Sequence, residues 1–296
     1  MSAASFLVIG EAIVDVFHRG AAVVRHPGGS PTNVAVGLSR LGHPVAELSY
    51  LGQDDDGTLL RDHLRAAGVR EQPGALVAPA SSVAEVTVDA AGDASYAFSV
   101  TWDAPTTIDW TGIDVVHAGS IALALEPGAG HVLALLRSRP ASVLATIDPN
   151  VRPAFLPTED ALARLTPFFE LADLVKLSDE DAAVLYPGLA PDAVLDRLLD
   201  GGAGIAAITL GARGAILASA AGRVGVPADA PVVVDTVGAG DSFMAALISA
   251  VATAGAWEPD AAELLRFGRY AARAAAITVS RTGADLPTAA ELGVPV

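Results

Sequence analysis

The sequence predicts an α/β fold: a doubly wound, mostly parallel sheet flanked by helices, with a small β lid. From residue 114 onward, short apolar runs alternate with helical segments, which is the rhythm of strand–helix units. Most of these runs are continuously apolar, as expected for strands that helices cover on both faces. By contrast, residues 83–100 alternate polar and apolar positions around a turn at Ala90–Asp93, which is typical of a hairpin with one wet face.

Each element has a local reason. The first strand is predicted to run to Asp15 because nearly every residue before it is apolar, and Gly42 and Gly68 are expected to end the first two helices. Strands are predicted at 6–15, 45–52, 83–89, 94–100, 115–119, 143–148, 174–177, 205–210 and 231–234. Helices are predicted at 31–41, 58–67, around 133–136, at 162–171, through 185, at 194–199 and at 244–251. No linker or repeat interrupts residues 1–296, so we expect one domain whose lid comes from about residues 12–27 and 80–104.

Composition limits the function classes. The 296 residues are 52% hydrophobic and 18% charged, enough apolar material for a large core and too little charge for disorder. There are 34 acidic against 18 basic residues, a net charge of −16, which argues against a nucleic-acid partner. Any phosphate site must therefore be built locally. The absence of cysteine excludes disulfides and thiolate sites.

The N-terminus and hydropathy predict the location of the protein. No basic residue precedes the apolar run at residues 6–9, and Glu11 follows it at once, so a signal peptide is not expected. No apolar run reaches the length of a membrane span. We therefore expect a soluble, cytoplasmic protein without a membrane partner.

The segment Asp235–Phe243 carries the clearest chemistry. An apolar segment precedes it and a buried helix follows, so small residues turn the chain into a helix N-terminus. Gly238, Ala239 and Gly240 let backbone N–H groups approach a ligand, and such groups bind anions such as phosphate. Asp241 would repel an anion unless it takes a proton from the group that attacks it. The combination indicates phosphoryl transfer to an alcohol.

Other candidates lie at predicted strand ends, where ligands bind in open α/β sheets. These polar residues are Asp15, Asp148, Asn150, Ser178, Thr209 and Asp235. The segment from Gly28 to Asn33 opens a helix with two glycines and an amide, which suits a polyol. Arg152 could clamp a phosphate or a sugar oxygen. The Walker loop, the dinucleotide fingerprint and the paired-histidine metallohydrolase helix are all absent from the sequence.

With these segments in this order, the chain resembles the ribokinase-like carbohydrate kinases, a group that includes fructokinases, adenosine kinases and 2-keto-3-deoxygluconate kinases. Gly28 to Ala35 resembles the N-terminal signature of the family, and Asp235 to Asp241 resembles the highly specific C-terminal one. Gly10-Glu11 with Asp15, Asp148 to Pro153, and Lys176 to Glu180 look most like the fructokinase branch.

The resemblance implies a role for each candidate. Asp241 would be the base, beside an anion hole of Gly238, Ala239 and Gly240. The sugar would be held by Asp15, Gly28, Gly29, Asn33 and Arg152; ATP would be held by Thr209, Gly211, Gly214, Lys176 and Ser178; and a monovalent cation such as K⁺ would be surrounded by Asp235, Val237, Thr278, Arg281 and Gly283. Mg²⁺ would bridge the nucleotide phosphates. The hairpin, with Tyr96 and Phe98, would close over the sugar.

Two features depart from the family pattern. Ser178 and Asp181 stand where many ribokinases carry the Asn and Glu that organise Mg²⁺ through water. Ala271 and Ala272 stand where relatives often place a polar residue beside the purine.

Three functions stay open at this point. The first is an ATP-dependent sugar kinase acting on fructose. The second is a kinase for another sugar, for 2-keto-3-deoxygluconate or for a nucleoside, for which aromatic residues near the lid could form a platform: Trp102, Trp110, Tyr96 and Phe98. The third is a non-catalytic sugar- or nucleotide-binding protein on the same fold. The exposed edges of the lid also make a homodimer through the lid plausible.

Overall fold

A nine-stranded sheet forms the centre of the molecule. The computed structural model describes residues 3–19, 22–88, 94–229 and 232–293. The strands of the large sheet are β1 (Phe6–Ile9), β4 (Val45–Leu48), β5 (Arg70–Glu71), β8 (Val115–Gly119), β9 (Leu144–Asp148), β10 (Leu174–Ser178), β11 (Ile205–Thr209), β12 (Ala215–Ser219) and β13 (Gly222–Val226). Their spatial order is β13-β12-β11-β10-β9-β8-β1-β4-β5. In this sheet the pairings β11–β12 and β12–β13 are antiparallel. Every other pairing, from β11 across to β5, is parallel.

Helices cover both faces of this sheet. They are α1 (Ser30–Arg40), α2 (Asp55–Ala66), α3 (Gly128–Ser138), α4 (Thr158–Phe169), α5 (Asp179–Leu185), α6 (Pro191–Asp200), α7 (Ala239–Ala254), α8 (Ala261–Val279) and α9 (Ala289–Leu292). Leu7 and Ile9 of β1 join one core with α3 to α6, whereas Phe6 and Val8 join the other with α1, α7 and α8. Successive strand residues point to opposite faces, so a continuous apolar run fills both cores. The doubly wound prediction is confirmed.

A second sheet stands apart from the first. It contains β2 (Ile13–Arg19), β3 (Ala22–Gly28), β6 (Ser82–Val88) and β7 (Ala94–Ser99), in the order β3-β2-β6-β7. The predicted hairpin is therefore present, although its turn at 90–93 lies outside the described residues. Val14 and Val16 pack with Leu51 and Leu60 into a small third core, which holds this sheet to the body.

The predicted first strand, 6–15, is wrong in one respect. The chain leaves the large sheet after Ile9 and begins β2 at Ile13, so Asp15 lies on the second sheet rather than at a central strand end. The apolar pattern continues through Val14 and Val16 because these residues are also buried, in the third core. Hydropathy alone therefore could not show the break.

The predicted strand at 231–234 is also wrong over its described part. Residues 232–234 belong to no strand, and Val232 is 84% exposed. At the end of this stretch, the Val234 amide donates to the Val279 carbonyl at 2.7 Å. Asp235 therefore follows a loop and not a sheet strand. The hairpin of β12 and β13, by contrast, was not predicted at all.

The aromatic residues near the second sheet mainly pack. Trp102 is 2% exposed and belongs to the core beside α3, with Trp110 packed against the same core. Phe98 makes an edge-to-face contact with Phe155, with ring centroids 5.2 Å apart. The Tyr96 side chain lies outside the described part of the structure. None of the described helices combines the length and apolar character that a bilayer crossing requires.

Candidate active site

The N-terminal turns of α1 and α7 meet at Asp241. Asn33 in the first turn of α1 donates from Nδ2 to Asp241 Oδ2 at 2.7 Å. Ser30, the first residue of α1, donates from Oγ to Asp241 Oδ1 at 2.6 Å. The carboxylate is 9% exposed, so both of its oxygens are held by neutral donors in a nearly buried position. This arrangement fixes the orientation of a carboxylate at one edge of the sheet, as a general base would require.

The turn before Asp241 presents backbone N–H groups. Gly238 caps α7 in the left-handed region, with φ of 77°, and a Cβ there would lie 2.6 Å from Ala284 Cβ, so glycine is required twice over. The Ala239 amide donates to the Thr236 carbonyl at 3.3 Å. Among the described residues the amides of Gly240 and Asp241 have no such acceptor, which is the usual state of first-turn N–H groups. They can therefore bind an anion.

Opposing effects act on the pKa of Asp241. Burial raises the pKa of this carboxyl above its usual range, and the hydrogen bonds from Ser30 and Asn33 lower it in part. The charges of Lys176 and Arg152 lower it further. The net result is a base with a raised pKa that its neighbours keep from rising more.

Lys176 and Asp148 form a buried ion pair below the turn. Lys176 Nζ donates to Asp148 Oδ2 at 2.7 Å, and the side chains are 5% and 1% exposed. A Cβ on Gly240 would lie 3.3 Å from Lys176 Nζ, so the ammonium group sits directly against the turn. Burial acts to lower the pKa of Lys176, but Asp148, Asp181 and Asp241 raise it overall. Burial raises the pKa of Asp148 to about 6, so the pair is ionised at neutral pH.

A second buried carboxyl, Glu11, lies nearby. Burial raises its pKa to about 8, the Ser120 hydroxyl lowers it in part, and the Asp241 charge raises it. Glu11 is therefore mostly neutral at pH 7. Its Oε2 has no hydrogen-bond partner among the described residues. Burial therefore raises the pKa values of both carboxyls in this part of the site, Glu11 and Asp241.

Neighbouring atoms leave no room for a Cβ at the two glycines predicted to hold the sugar. A Cβ on Gly28 would lie 2.6 Å from Asp15 Oδ2, so the Asp15 carboxylate rests on this glycine. Gly29 has φ of 107°, and a Cβ there would lie 2.4 Å from the Glu11 carbonyl oxygen. Burial raises the pKa of Asp15, and the nearby His26 lowers it in part. Asp15, Gly28 and Gly29 thus form one wall, which continues through Ser30 and Asn33 to Asp241.

The segment after β9 is held in place by Asp181. Asp181 Oδ1 accepts the Val151 amide at 2.8 Å, and Oδ2 accepts both the amide and the hydroxyl of Ser178. Ser178 caps α5, because its Oγ accepts the Asp181 amide at 3.0 Å. Arg152 follows Val151 at the surface and donates to the Val151 carbonyl at 3.2 Å. Asn150 adopts φ of 37°, a left-handed conformation that asparagine tolerates better than most residues.

An apolar cavity of about 340 Å³ opens beside the turn. Its lining includes Gly240 and three predicted nucleotide residues, Thr209, Gly211 and Gly214. Ala272, at the position where relatives often place a polar residue beside the purine, also lines the cavity. The remaining lining residues are Ala212, Ala228, Asp229, Val233, Thr236, Ala239, Phe243, Ala275, Ala276 and Val279. Lys176, Ser178 and Ala271 are not among them.

Asp235 joins two loops beside the turn. Its Oδ2 accepts the Gly283 amide at 2.8 Å, and its Oδ1 accepts the Val237 amide at 3.1 Å. These bonds lower the pKa of Asp235. Thr278 is fully buried and donates to Ser242 Oγ at 2.9 Å, while the Arg281 guanidinium pairs with Asp285 and Glu291. The described residues contain no group of three His, Cys, Asp or Glu side chains that could hold a metal ion.

The structure adds two residues to which the sequence gave no role, Ser30 and Glu11, and it pairs Asp148, a predicted strand-end candidate, with Lys176. Ser30 lies inside the recognised Gly28–Asn33 segment, and Glu11 is a lone carboxyl in an apolar region. Both features could have marked these residues as candidates. The pairing of Asp148 with Lys176 had no local signal, because 28 residues separate them.

Known proteins resemble the chain over nearly all of its length. The family model described as pfkB family carbohydrate kinase matches residues 4–290. A fructokinase from Rhizobium leguminosarum bv. trifolii is 33% identical over 258 residues, covering 83% of this chain and 79% of the relative. Fructokinase-1 of Zea mays is 31% identical over 319 residues, covering 99% and 98%.

Solved structures agree. Fructokinase with bound ATP from Xylella fastidiosa superposes with a TM-score of 0.87 at 27% identity, covering 97% of this chain and 96% of that one. A fructokinase double mutant from Vibrio cholerae O395, with fructose, ADP and potassium ion bound, has a TM-score of 0.83 at 27% identity, covering 98% and 97%. Aminoimidazole riboside kinase from Salmonella enterica, with aminoimidazole riboside and an ATP analogue, has a TM-score of 0.80 at 28% identity, covering 98% and 97%.

Proposed function

Because this chain belongs to the pfkB family of carbohydrate kinases, we propose that it is a fructokinase that transfers the γ-phosphoryl group of ATP to a hydroxyl of fructose. The observation that carries the proposal is the Asp241 carboxylate, held by Ser30 and Asn33 beside the open first-turn amides of α7. A base and an anion site at that spacing suit an alcohol acceptor and a phosphoryl donor. Relatives and structural neighbours named fructokinase support the choice of sugar.

The reaction follows from this geometry. A sugar hydroxyl oxygen attacks the γ-phosphorus, its proton passes to Asp241, and the bond to the β-phosphate oxygen breaks, leaving ADP and a sugar phosphate. The Gly240 and Asp241 amides, at the positive end of the α7 dipole, stabilise the charge on the transferring group. The Lys176 ammonium group, which lies against Gly240, adds a positive charge at the same place. Such a reaction needs positioning and charge stabilisation more than covalent help.

Sugar and nucleotide would approach from two sides of Asp241. Asp15, Gly28, Gly29 and Asn33 would hold the sugar hydroxyls, with Arg152 at the entrance. The apolar cavity would take the nucleotide, bordered by Thr209, Gly211 and Gly214, with the phosphates directed toward the turn. Lys176 and Ser178 lie outside the cavity lining, so we assign Lys176 to the phosphate end. Because ATP is the donor, we expect the protein to act in the cytoplasm.

Metal ions would assist at two places. Asp148 Oδ1 is a buried carboxylate oxygen without a hydrogen-bond partner among the described residues, which fits a role toward a water-coordinated Mg²⁺. Both Asp181 oxygens are already occupied by Val151 and Ser178, so the fit is poorer there. Bound Mg²⁺ would neutralise phosphate charge. For K⁺, backbone carbonyl oxygens near Val237, Thr278, Arg281 and Gly283 would be the main ligands, and Asp235, whose two oxygens accept the Val237 and Gly283 amides, would hold the two loops together.

The second sheet would act as the lid of a single domain spanning 1–296. Asp15 lies on β2 and Gly28 ends β3, so this sheet carries part of the sugar wall. The Phe98–Phe155 contact links β7 to the segment that bears Arg152. Closure of the lid would exclude water, which otherwise competes as an acceptor.

The substrate is tested by ADP release with MgATP and potassium over fructose, tagatose, ribose, 2-keto-3-deoxygluconate, adenosine and aminoimidazole riboside. We expect turnover to be fastest with fructose. Highest turnover with a nucleoside would replace the proposal by the nucleoside alternative, for which the Salmonella enterica neighbour is the supporting observation. Binding without turnover of any compound would favour a non-catalytic protein. Exchange of potassium for tetramethylammonium in the same assay tests the cation.

We also propose a homodimer through the lid. Strands β3 and β7 are the edges of the second sheet, and Val23 and Val24 on β3 are 54% and 42% exposed. An exposed apolar edge strand is a template for pairing with another chain. Sedimentation velocity should give twice the 29.8 kDa chain mass. Val23→Asp/Val24→Asp should shift the protein to monomer, and a monomeric parent protein would contradict the proposal.

A further inference from the structure

The Ser30 hydroxyl occupies an unusual place for a side chain with no assigned role. It donates to Asp241 Oδ1 at 2.6 Å, a short distance that is typical of a hydrogen bond to a charged acceptor. Asn33 occupies the other oxygen at 2.7 Å. Among the described residues, the hydrogen bonds to the Asp241 carboxylate come from these two donors. Because each carboxylate oxygen can accept two hydrogen bonds, a sugar hydroxyl that gives its proton to Asp241 can share an oxygen with one of these donors or replace that donor.

Ser30 is the donor that matches an incoming alcohol. Its O–H group has the same chemistry as a sugar hydroxyl, and one side-chain torsion moves it away. Asn33 donates from an amide N–H group, which differs chemically from the hydroxyl of a sugar. Ser30 is also only partly buried, on the first residue of α1. An exchange of one hydroxyl for another at Oδ1 keeps the carboxylate hydrogen-bonded throughout, and this limits the cost of leaving a buried charge unpaired.

We propose that Ser30 is a positioning residue that holds the place of the acceptor hydroxyl on Asp241 and keeps the carboxylate oriented until the sugar hydroxyl displaces the serine hydroxyl. The inference rests on the phosphoryl transfer proposed above. In this role, Ser30 helps to set the pKa of Asp241 and therefore the pH range in which Asp241 can accept a proton. The same role makes Ser30 a weak competitor of the sugar.

The other charged groups facing Asp241 do not replace this bond. Lys176 and Arg152 lower the pKa of Asp241 through their charges, and Asp241 in turn raises the pKa values of Glu11 and Asp148. The Lys176 ammonium is bonded to Asp148. Loss of the Ser30 hydroxyl would thus leave Asp241 Oδ1 without a hydrogen-bond partner, and the pKa of Asp241 would rise.

The kinetic test compares Ser30→Ala with Ser30→Thr, which keeps a hydroxyl. We expect the acid limb of the kcat/KM profile for the sugar to move to higher pH in Ser30→Ala. On that limb its kcat/KM should fall roughly three- to tenfold, since a pKa difference of one corresponds to a tenfold change. On the alkaline plateau the KM for the sugar should be unchanged or lower, because a competitor is gone. Ser30→Thr should restore the profile.

The matched control is Ser39→Ala, which removes a hydroxyl from the same helix that donates to the Ala67 carbonyl at 2.7 Å. Its pH profile should equal that of the parent protein. A profile of Ser30→Ala that is merely scaled down at every pH, or a raised KM on the plateau, would show that Ser30 is only a sugar contact and would overturn the proposal.

A substrate-free measurement separates this inference from the proposed activity. The side-chain carboxyl ¹³C resonance of Asp241 is titrated in sugar-free protein, with Asp241→Asn to assign it among the buried carboxyls. A higher Asp241 pKa in Ser30→Ala than in the parent or Ser30→Thr supports the Ser30–Asp241 coupling even if no tested sugar reacts. An unchanged Asp241 pKa overturns the inference whatever the enzyme phosphorylates.

Discussion

Asp241→Asn should lower kcat by roughly 10²–10⁴-fold, the usual scale for loss of a positioned general base. The amide has nearly the same shape as the carboxylate but cannot accept the proton of the sugar hydroxyl. Ser30 can still donate to the amide oxygen, so we expect the fold to remain. Nucleotide binding should change little, because the apolar cavity and the Gly240 amide are untouched.

The measurement is single-turnover phosphoryl transfer at saturating sugar and MgATP, together with calorimetric titration of the nucleotide. Asp62→Asn is a suitable control, because Asp62 is a 63% exposed partner of Arg65 on α2 and belongs to no part of the site. Its kcat should match that of the parent protein. Near-normal turnover of Asp241→Asn would remove Asp241 from the mechanism.

Lys176→Met should lower the free energy of unfolding by about 3–5 kcal/mol, because it leaves the buried Asp148 carboxylate without its partner. The same change removes the positive charge beside Gly240, so kcat should fall by about 10²-fold, as for loss of one preorganised charge-stabilising group. Urea unfolding measures the first effect and steady-state kinetics the second.

The loss of stability in Lys176→Met should depend on pH. Without Lys176, the pKa of Asp148 rises further above its unfolded value, so the folded state binds a proton that the unfolded state releases. Stability then falls as pH rises through that interval, and the deficit should be larger at about pH 8 than at about pH 5. A constant deficit would mean that packing, and not charge, causes the loss.

Two comparisons isolate the charge effect. Lys176→Met/Asp148→Asn removes both charges and should recover much of the stability while kcat stays low. Arg223→Met breaks a surface cluster with Asp192 and Asp196, in which the arginine is 33% exposed, and should cost only about 0–1 kcal/mol. If Lys176→Met were as mild as Arg223→Met, the buried Lys176–Asp148 pair would not contribute to stability through its charges.

Local pattern was sufficient for the regular elements. The predicted helix 31–41 and strand 115–119 match α1 and β8 closely, since glycine termination and continuous apolar runs are local properties. The hydrophobic pattern gave wrong strand bounds where apolar residues were buried in a different core, or were not buried at all. Val14 and Val16 are apolar because of the third core and not because β1 continues, while Val232 belongs to an apolar run that the fold leaves exposed.

The sequence by itself determined the layered α/β architecture, the helix N-terminus at residues 238–241 and the residue types of a base, a polyol wall and an anion site. These depend on periodicity, glycine conformation and side-chain chemistry, which neighbouring residues carry. Only the tertiary structure decided that Ser30 and Asn33 share the Asp241 carboxylate, and that Lys176 and Asp148 pair beneath Gly240. Those contacts join segments 28 to 211 residues apart, and the order of strands and helices in space sets which segments meet.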